Sequence, residues 1–152
     1  MPGTPAEEYA PASLYTEVQQ FYARQMSLIE GRGADPDAWA DTFTEDAVVE
    51  SAADEGPDVG REAIRASVRA GVAHIAAQGW DFRHWFGMLD VRPQHDGSLR
   101  TRYYALAMAT ERGGALEIRG SLLCRDELVR GPGGRGWLVR HRALVPDGHT
   151  GA

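Results

Sequence analysis

Residues 79–91 read GWDFRHWFGMLDV, and the period of that run decides the fold. Aromatic and apolar side chains recur at every second position, the repeat of a strand with one buried face. One phase is Phe82, His84, Phe86 and Met88; the other is Arg83, Trp85, Gly87 and Leu89. The first phase is expected to face inward, which leaves Trp85, Leu89 and Val91 as an outer face open to an interface. Gly79 marks the end of a helix just before the strand.

Downstream of this run every segment reads as strand. SLRTRYYALAMATE, ALEIRGSLLCRDELV and GWLVRHRALV follow in turn, separated by QHDGS, RGG and RGPGGRG. Upstream the spacing is helical. Leu14, Val18, Phe21, Tyr22, Met26 and Ile29 form a stripe behind Ser13, read as an N-cap, and that helix stops at EGRG. Asp35 and Pro36 then cap and open a short helix carrying Trp39 and Phe43. DAVVES is a short strand, AADEGPDVG a loop, and a third helix runs from about Arg61 to Ala77 with Ile64, Val68, Val72 and Ile75 buried. Three helices followed by four long strands give an α+β domain, its helices on one face of a curved antiparallel sheet. The whole of 1–152 reads as a single domain, with 1–12 and 146–152 as flexible ends.

Composition narrows the class. The 152 residues carry a net charge of -6, which argues against nucleic acid, whose phosphates need a clustered positive surface. All sixteen basic residues are Arg, a sign of GC-rich coding rather than of chemistry. One cysteine, Cys124, allows no intrachain disulfide and no multi-cysteine zinc site. No segment has the length and apolarity of a membrane span, and the first residues lack a signal-peptide pattern, so a cytoplasmic protein is expected.

Few residues offer chemistry. His84 stands within an apolar phase, where it is either a core histidine satisfied by a hydrogen bond or an acid/base group in an apolar cavity. His141 shares the apolar phase of Trp137, Val139, Ala143 and Val145, with the same two readings. Tyr104 is expected on the face of Leu106 and Met108, where its phenol either packs or donates to a substrate carbonyl. One of Glu50 and Ser51 must face inward, and the short strand leaves the choice open. Asp46 reads as a turn cap, and Asp126 with Arg142 as an ion pair between adjacent strands. No phosphate-cradling loop, nucleophile elbow or metal-ligand spacing is present, so neither cofactor nor metal is expected.

The order of elements carries a resemblance. FTEDAVVE after an amphipathic helix, GREAI opening the third helix, and a final GW strand with a His four residues past the Trp resemble the nuclear transport factor two-like superfamily. Within it, the chain is similar to SnoaL-like polyketide cyclases and scytalone dehydratases over roughly residues 14–145. The resemblance implies a cone of bent sheet and helices (the cystatin-like fold) with a pocket inside. RHWFGML is similar to the strand on which scytalone dehydratases place a catalytic histidine, which implies that role for His84. Tyr104 stands where that group has a second histidine, and His141 at a pocket-lining position. Ser51 and Phe21 stand where ketosteroid isomerases keep an aspartate base and a catalytic tyrosine, so an isomerase of that kind is not implied. EVQQFYARQM and RHWFGMLDV also resemble small proteins of actinomycete pathways that make pyran-ring quinones.

Two functions follow as expectations. The first is a cofactor-independent polyketide-tailoring enzyme: a dehydratase, cyclase or isomerase acting by acid/base catalysis on an aromatic or 1,3-dicarbonyl intermediate. His84, Tyr104 and His141 would be its catalytic residues, and Tyr22, Trp39, Ser51, Phe82, Phe86 and Met88 would contact a hydrophobic substrate. The second is a non-catalytic binding or assembly subunit, such as an oxygenase small subunit. A homodimer is expected in either case.

Overall fold

Helix α1, Ala12–Ser27, is the first element of a computed structural model that describes residues 9–150. Its ladder begins at the Pro11 carbonyl, which accepts from Tyr15 N at 3.0 Å, so Pro11 occupies the N-cap position and Ser13 lies inside the first turn. The expected Ser13 cap is therefore replaced by a helix starting two residues earlier. Residues 1–8 and 151–152, which include most of the expected flexible ends, lie outside the described residues.

Helix α2, Pro36–Ala40, has the Asp35 cap, its carboxylate accepting from Ala38 N at 3.0 Å. Strand β1 spans Phe43–Ser51, and the expected loop behind it contains a two-residue strand β2, Asp58–Val59. Two residues are too few to show a period. Helix α3, Arg61–Gln78, ends at Gly79 in the left-handed conformation (φ 69°), which glycine adopts without steric cost. Only Ile64 of its expected stripe is fully buried; Val68, Val72 and Ile75 are half-buried, because α3 packs on α2, β1 and β2 and its later turns run past them.

Strands β3 (Asp81–Pro93), β4 (Leu99–Thr110), β5 (Leu116–Arg130) and β6 (Trp137–Pro146) complete the chain. The curved, unclosed sheet runs β2-β1-β6-β5-β4-β3, which makes β3 an edge strand. All pairings are antiparallel except β1 with β6, which is parallel.

Two register slips and the phase of β4 decide which side chains face the helices. In β3 the register slips between Gly87 and Asp90, and Met88 takes φ 52°. The extra residue reverses the alternation beyond it. Met88 is thus 76% exposed, while Leu89 packs on the core and Val91 is buried. The expected inward Met88 and outward Leu89 and Val91 are all inverted. In β6 a slip between Val139 and His141 buries Arg142 in place of His141. In β4 the inward phase is Thr101, Tyr103, Ala105 and Ala109, so Tyr104 points outward, 48% exposed. The cause is packing: Phe86 lies opposite Ala105 and stacks on Tyr103 at 4.4 Å, a fit that needs the small residue inside.

The centre of the domain is a buried polar cluster rather than a void. The Asp126 carboxylate accepts from Arg142 Nε at 3.0 Å and Nη2 at 2.9 Å, and from the phenols of Tyr22 (2.8 Å) and Tyr103 (3.1 Å). Arg142 also donates to Gln25 Oε1 at 2.8 Å, and Tyr22 shares a 2.6 Å bond with Thr101. The Asp126–Arg142 pair joins adjacent strands β5 and β6, in register with one another. Burial in the first place, and the Asp126 charge in the second, raise the Tyr22 phenol well above the ordinary tyrosine value. Burial likewise raises Tyr103 and pushes the Cys124 thiol up to about 12.

Candidate active site

A cavity of about 280 Å³ lies between α1 and the edge strand β3. The interior that the family resemblance assigns to a pocket is occupied by Tyr103 and the Asp126–Arg142 cluster, so this cavity sits to one side of it. Helix α1 supplies Gln19, Tyr22, Ala23, Met26 and Ser27 at helical spacing, and β3 supplies His84, Trp85, Phe86 and Leu89. The β3 bulge is what turns Leu89 toward the cavity, and the Tyr15 hydroxyl holds that turn by donating to the Leu89 carbonyl at 3.2 Å.

Glu30, two residues past the C-cap Leu28 of α1, completes the wall. Its Oε1 accepts from the His84 backbone N–H at 2.6 Å and lies 3.1 Å from the ring Nδ1. Both side chains are mostly shielded, at 22% and 19% exposure. Because β3 is an edge strand, the His84 N–H has no neighbouring strand on that side; Glu30 takes the place of one. A neutral imidazole that donates Nδ1–H to this carboxylate keeps its lone pair on Nε2, the arrangement an oriented base requires. The Phe82 ring stands edge-on to the imidazole at 5.1 Å.

The other expected site residues are distributed as follows. Tyr22 and Phe86 line the cavity, but the Tyr22 hydroxyl is committed to Thr101 and Asp126. Phe82 lines an adjoining cleft that also contains Ser27 and Glu30. Trp39 is buried against Phe43 at 4.7 Å and is not among the cavity walls. Met88 and Tyr104 face solvent, for the reasons given above. His141 lies on the outer face with Nε2 3.3 Å from Glu50. Glu50 thus faces outward. Ser51 accepts from Ala53 N at 3.4 Å and lines a separate cleft with Ala143 and Leu144. Tyr104, His141, Ser51, Trp39 and Met88 are therefore not brought to His84.

Glu30 is the residue that sequence reasoning missed. Its only local signal is a carboxylate at a helix exit, which is ordinarily solvated; its partner lies 54 positions away. Among the described residues, no group of three or more His, Cys, Asp and Glu side chains is placed to hold a metal ion.

The SnoaL-like domain model matches residues 10–143. The chain belongs to the SnoaL-like family. Among solved structures, Aln2 from a Streptomyces species is 36% identical, with 92% of this chain and 95% of that one covered at a TM-score of 0.81. ActVI-ORFA from Streptomyces coelicolor is 32% identical over 93% and 100% of the two chains, also at 0.81. A protein from Catenulispora acidiphila, solved in complex with S-DNPA, is 36% identical over 90% and 96%, at 0.74. No curated protein sequence matches the chain significantly. The SnoaL-like frame accounts for the three helices and the curved sheet; the Glu30–His84 pair is read from this chain's own geometry.

Proposed function

We propose that this SnoaL-like protein is a cofactor-independent polyketide-tailoring enzyme in which His84 moves a proton beside a substrate carbonyl. The observation that carries the reading is an imidazole fixed by Glu30 in the wall of a cavity otherwise lined mainly by apolar and aromatic side chains. Nε2 takes the proton of an acidic C–H, and the Glu30 carboxylate stabilises the imidazolium that results. Dehydration of a β-hydroxy ketone through its enolate, aldol-type ring closure and keto–enol isomerisation of a polyketide all begin with that step.

The cavity also restricts the substrate. No Arg lines it, so no fixed cation receives an enolate oxygen. A carbanion formed there finds only neutral donors in the cavity, such as Gln19 and Ser27, which favours a substrate that delocalises the charge itself, as in a 1,3-dicarbonyl or a nascent phenol. An engineered apolar cavity of about 150 Å³ accepts benzene, so a cavity near 280 Å³ suits two or three fused rings. The complex of the Catenulispora acidiphila relative with S-DNPA supports a small-molecule ligand.

The absence of a cavity cation also favours a second reading, in which the protein binds an intermediate without acting on it. Deuterium exchange into 2-acetyl-1-tetralone, a bicyclic 1,3-diketone, separates the two when paired with S-DNPA binding followed by tryptophan fluorescence. The wild type accelerates exchange, and His84→Gln and His84→Ala lose about a hundredfold or more of it with S-DNPA affinity retained. Near-normal exchange in folded variants overturns the role of His84. Tight S-DNPA binding without any acceleration by the wild type establishes the binding reading instead.

A further inference from the structure

We propose that Gln19 selects the substrate by bonding an oxygen on the ring furthest from the carbon that His84 deprotonates. The inference deepens the functional reading above and rests on it for the place of the reacting carbon. The two walls of the cavity run antiparallel and are pinned at both ends, by Tyr15 on the Leu89 carbonyl and by Glu30 on His84. Gln19 stands one turn after Tyr15 on the same side of α1, since residues four apart share a helix face. From Gln19 to Glu30 is 11 positions, about 16 Å at the helical rise of about 1.5 Å per residue. The stretch of β3 from His84 to Leu89 gives close to the same length, at about 3.3 Å per residue. Gln19 therefore marks the end of the cavity remote from His84.

Between the ends the lining is apolar: Met26, Phe86 and the ring of Tyr22, whose hydroxyl is held by Thr101 and Asp126. Ser27 stands at the Glu30 end and gives its proton to the Arg24 carbonyl at 2.7 Å. Gln19 differs from both. Its amide has no hydrogen-bond partner among the described residues, so its N–H and C=O are both open to a ligand. A volume of about 280 Å³ drawn out over this length is a slot one ring wide. A fused-ring ligand lies in it lengthwise, with the acidic C–H at His84 Nε2 and the last ring at Gln19. A carbon chain built from two-carbon units carries oxygen on alternate carbons, so the last ring of such a substrate has an oxygen to offer. The amide serves a phenol, an ether or a carbonyl there, and an unsubstituted ring leaves it unpaired.

Two probes test this on the full chain. One is 2-acetyl-3,4-dihydroanthracen-1(2H)-one, a linear tricyclic 1,3-diketone; the other is its 6-hydroxy derivative, whose phenol lies across the molecule from the acidic carbon. Titration calorimetry gives the two dissociation constants, and deuterium exchange at the carbon between the carbonyls is followed in parallel. The wild type is expected to bind the phenol about fivefold more tightly than the parent. Gln19→Leu, with unchanged circular dichroism, should bring that ratio down to about one. Gln20→Leu, an exposed control on α1 outside the cavity lining, leaves the ratio unaltered. A wild type without the preference, or a Gln19→Leu variant that keeps it, overturns the proposal. A preference that depends on Gln19 without any acceleration of exchange by the wild type upholds the grip on the far ring and overturns the role of His84.

Discussion

Replacing Arg142 by Met is the sharpest test of how the interior is held. Met keeps most of the aliphatic volume, so the loss is electrostatic rather than a cavity. In the native protein the Asp126 side chain is 0% exposed and Arg142 is 5% exposed. Burial works against the guanidinium charge, but the Asp126 carboxylate outweighs it and holds Arg142 well above the ordinary arginine value. The substitution removes two charge-assisted bonds to Asp126 and one to Gln25, and strands a buried carboxylate with only phenols around it. Breaking a buried pair from one side costs about 3–5 kcal/mol. For a chain of this size that is a fall in Tm of roughly 10 °C, at about 2–4 °C per kcal/mol. Urea unfolding followed by tryptophan fluorescence measures it, with the m-value unchanged. Pairing it with Asp126→Asn supplies the control, since the amide still accepts from the tyrosines without a charge. The double variant should regain at least about half of the loss. A single-variant loss below about 1 kcal/mol refutes the reasoning, and so does a double variant no better than the single.

Two further predictions follow from the same coordinates. Met88 holds φ 52° with its side chain in solvent, so Met88→Gly relieves backbone strain of about 1–2 kcal/mol against a smaller entropic loss; a rise in Tm is expected, and a fall counts against the strain. The Cys124 thiol, with its pKa pushed up to about 12 by burial, favours the folded state fully below its ordinary value near 9, and loses that contribution as pH rises toward 12. The raised phenols of Tyr22 and Tyr103 act in the same direction. Urea midpoints should fall steadily above pH 9, and Cys124 should resist alkylation in the native state at mildly alkaline pH; a flat alkaline profile contradicts this.

Local pattern was enough for the three helices and the long strands, though not for the two-residue β2. Period two from Phe82 onward, the Asp35-Pro36 helix start and the Gly79 stop are written into neighbouring residues, because turn and cap chemistry act over three or four positions. The order of those elements was enough for the family, and the pairing of Asp126 with Arg142 was legible from their places on adjacent strands, though its burial was not. What failed was phase. A one-residue bulge costs little locally but exchanges the two faces of everything beyond it. Met88, Leu89 and Val91 changed sides at one bulge, and His141 and Arg142 at another. Tyr103 displaced Tyr104 from the interior because Phe86 could be stacked only beside a small Ala105.

The sequence alone therefore determined three helices, a sheet of long strands, their order, and a histidine on the inward side of β3. Only the tertiary structure decided that His84 meets Glu30, that the cavity lies beside α1 rather than in the middle, and that Tyr104 and His141 face away from it. The reason is range. Periodicity and capping are set by adjacent residues, whereas a register slip and a contact across 54 positions are settled by the packing of the whole sheet.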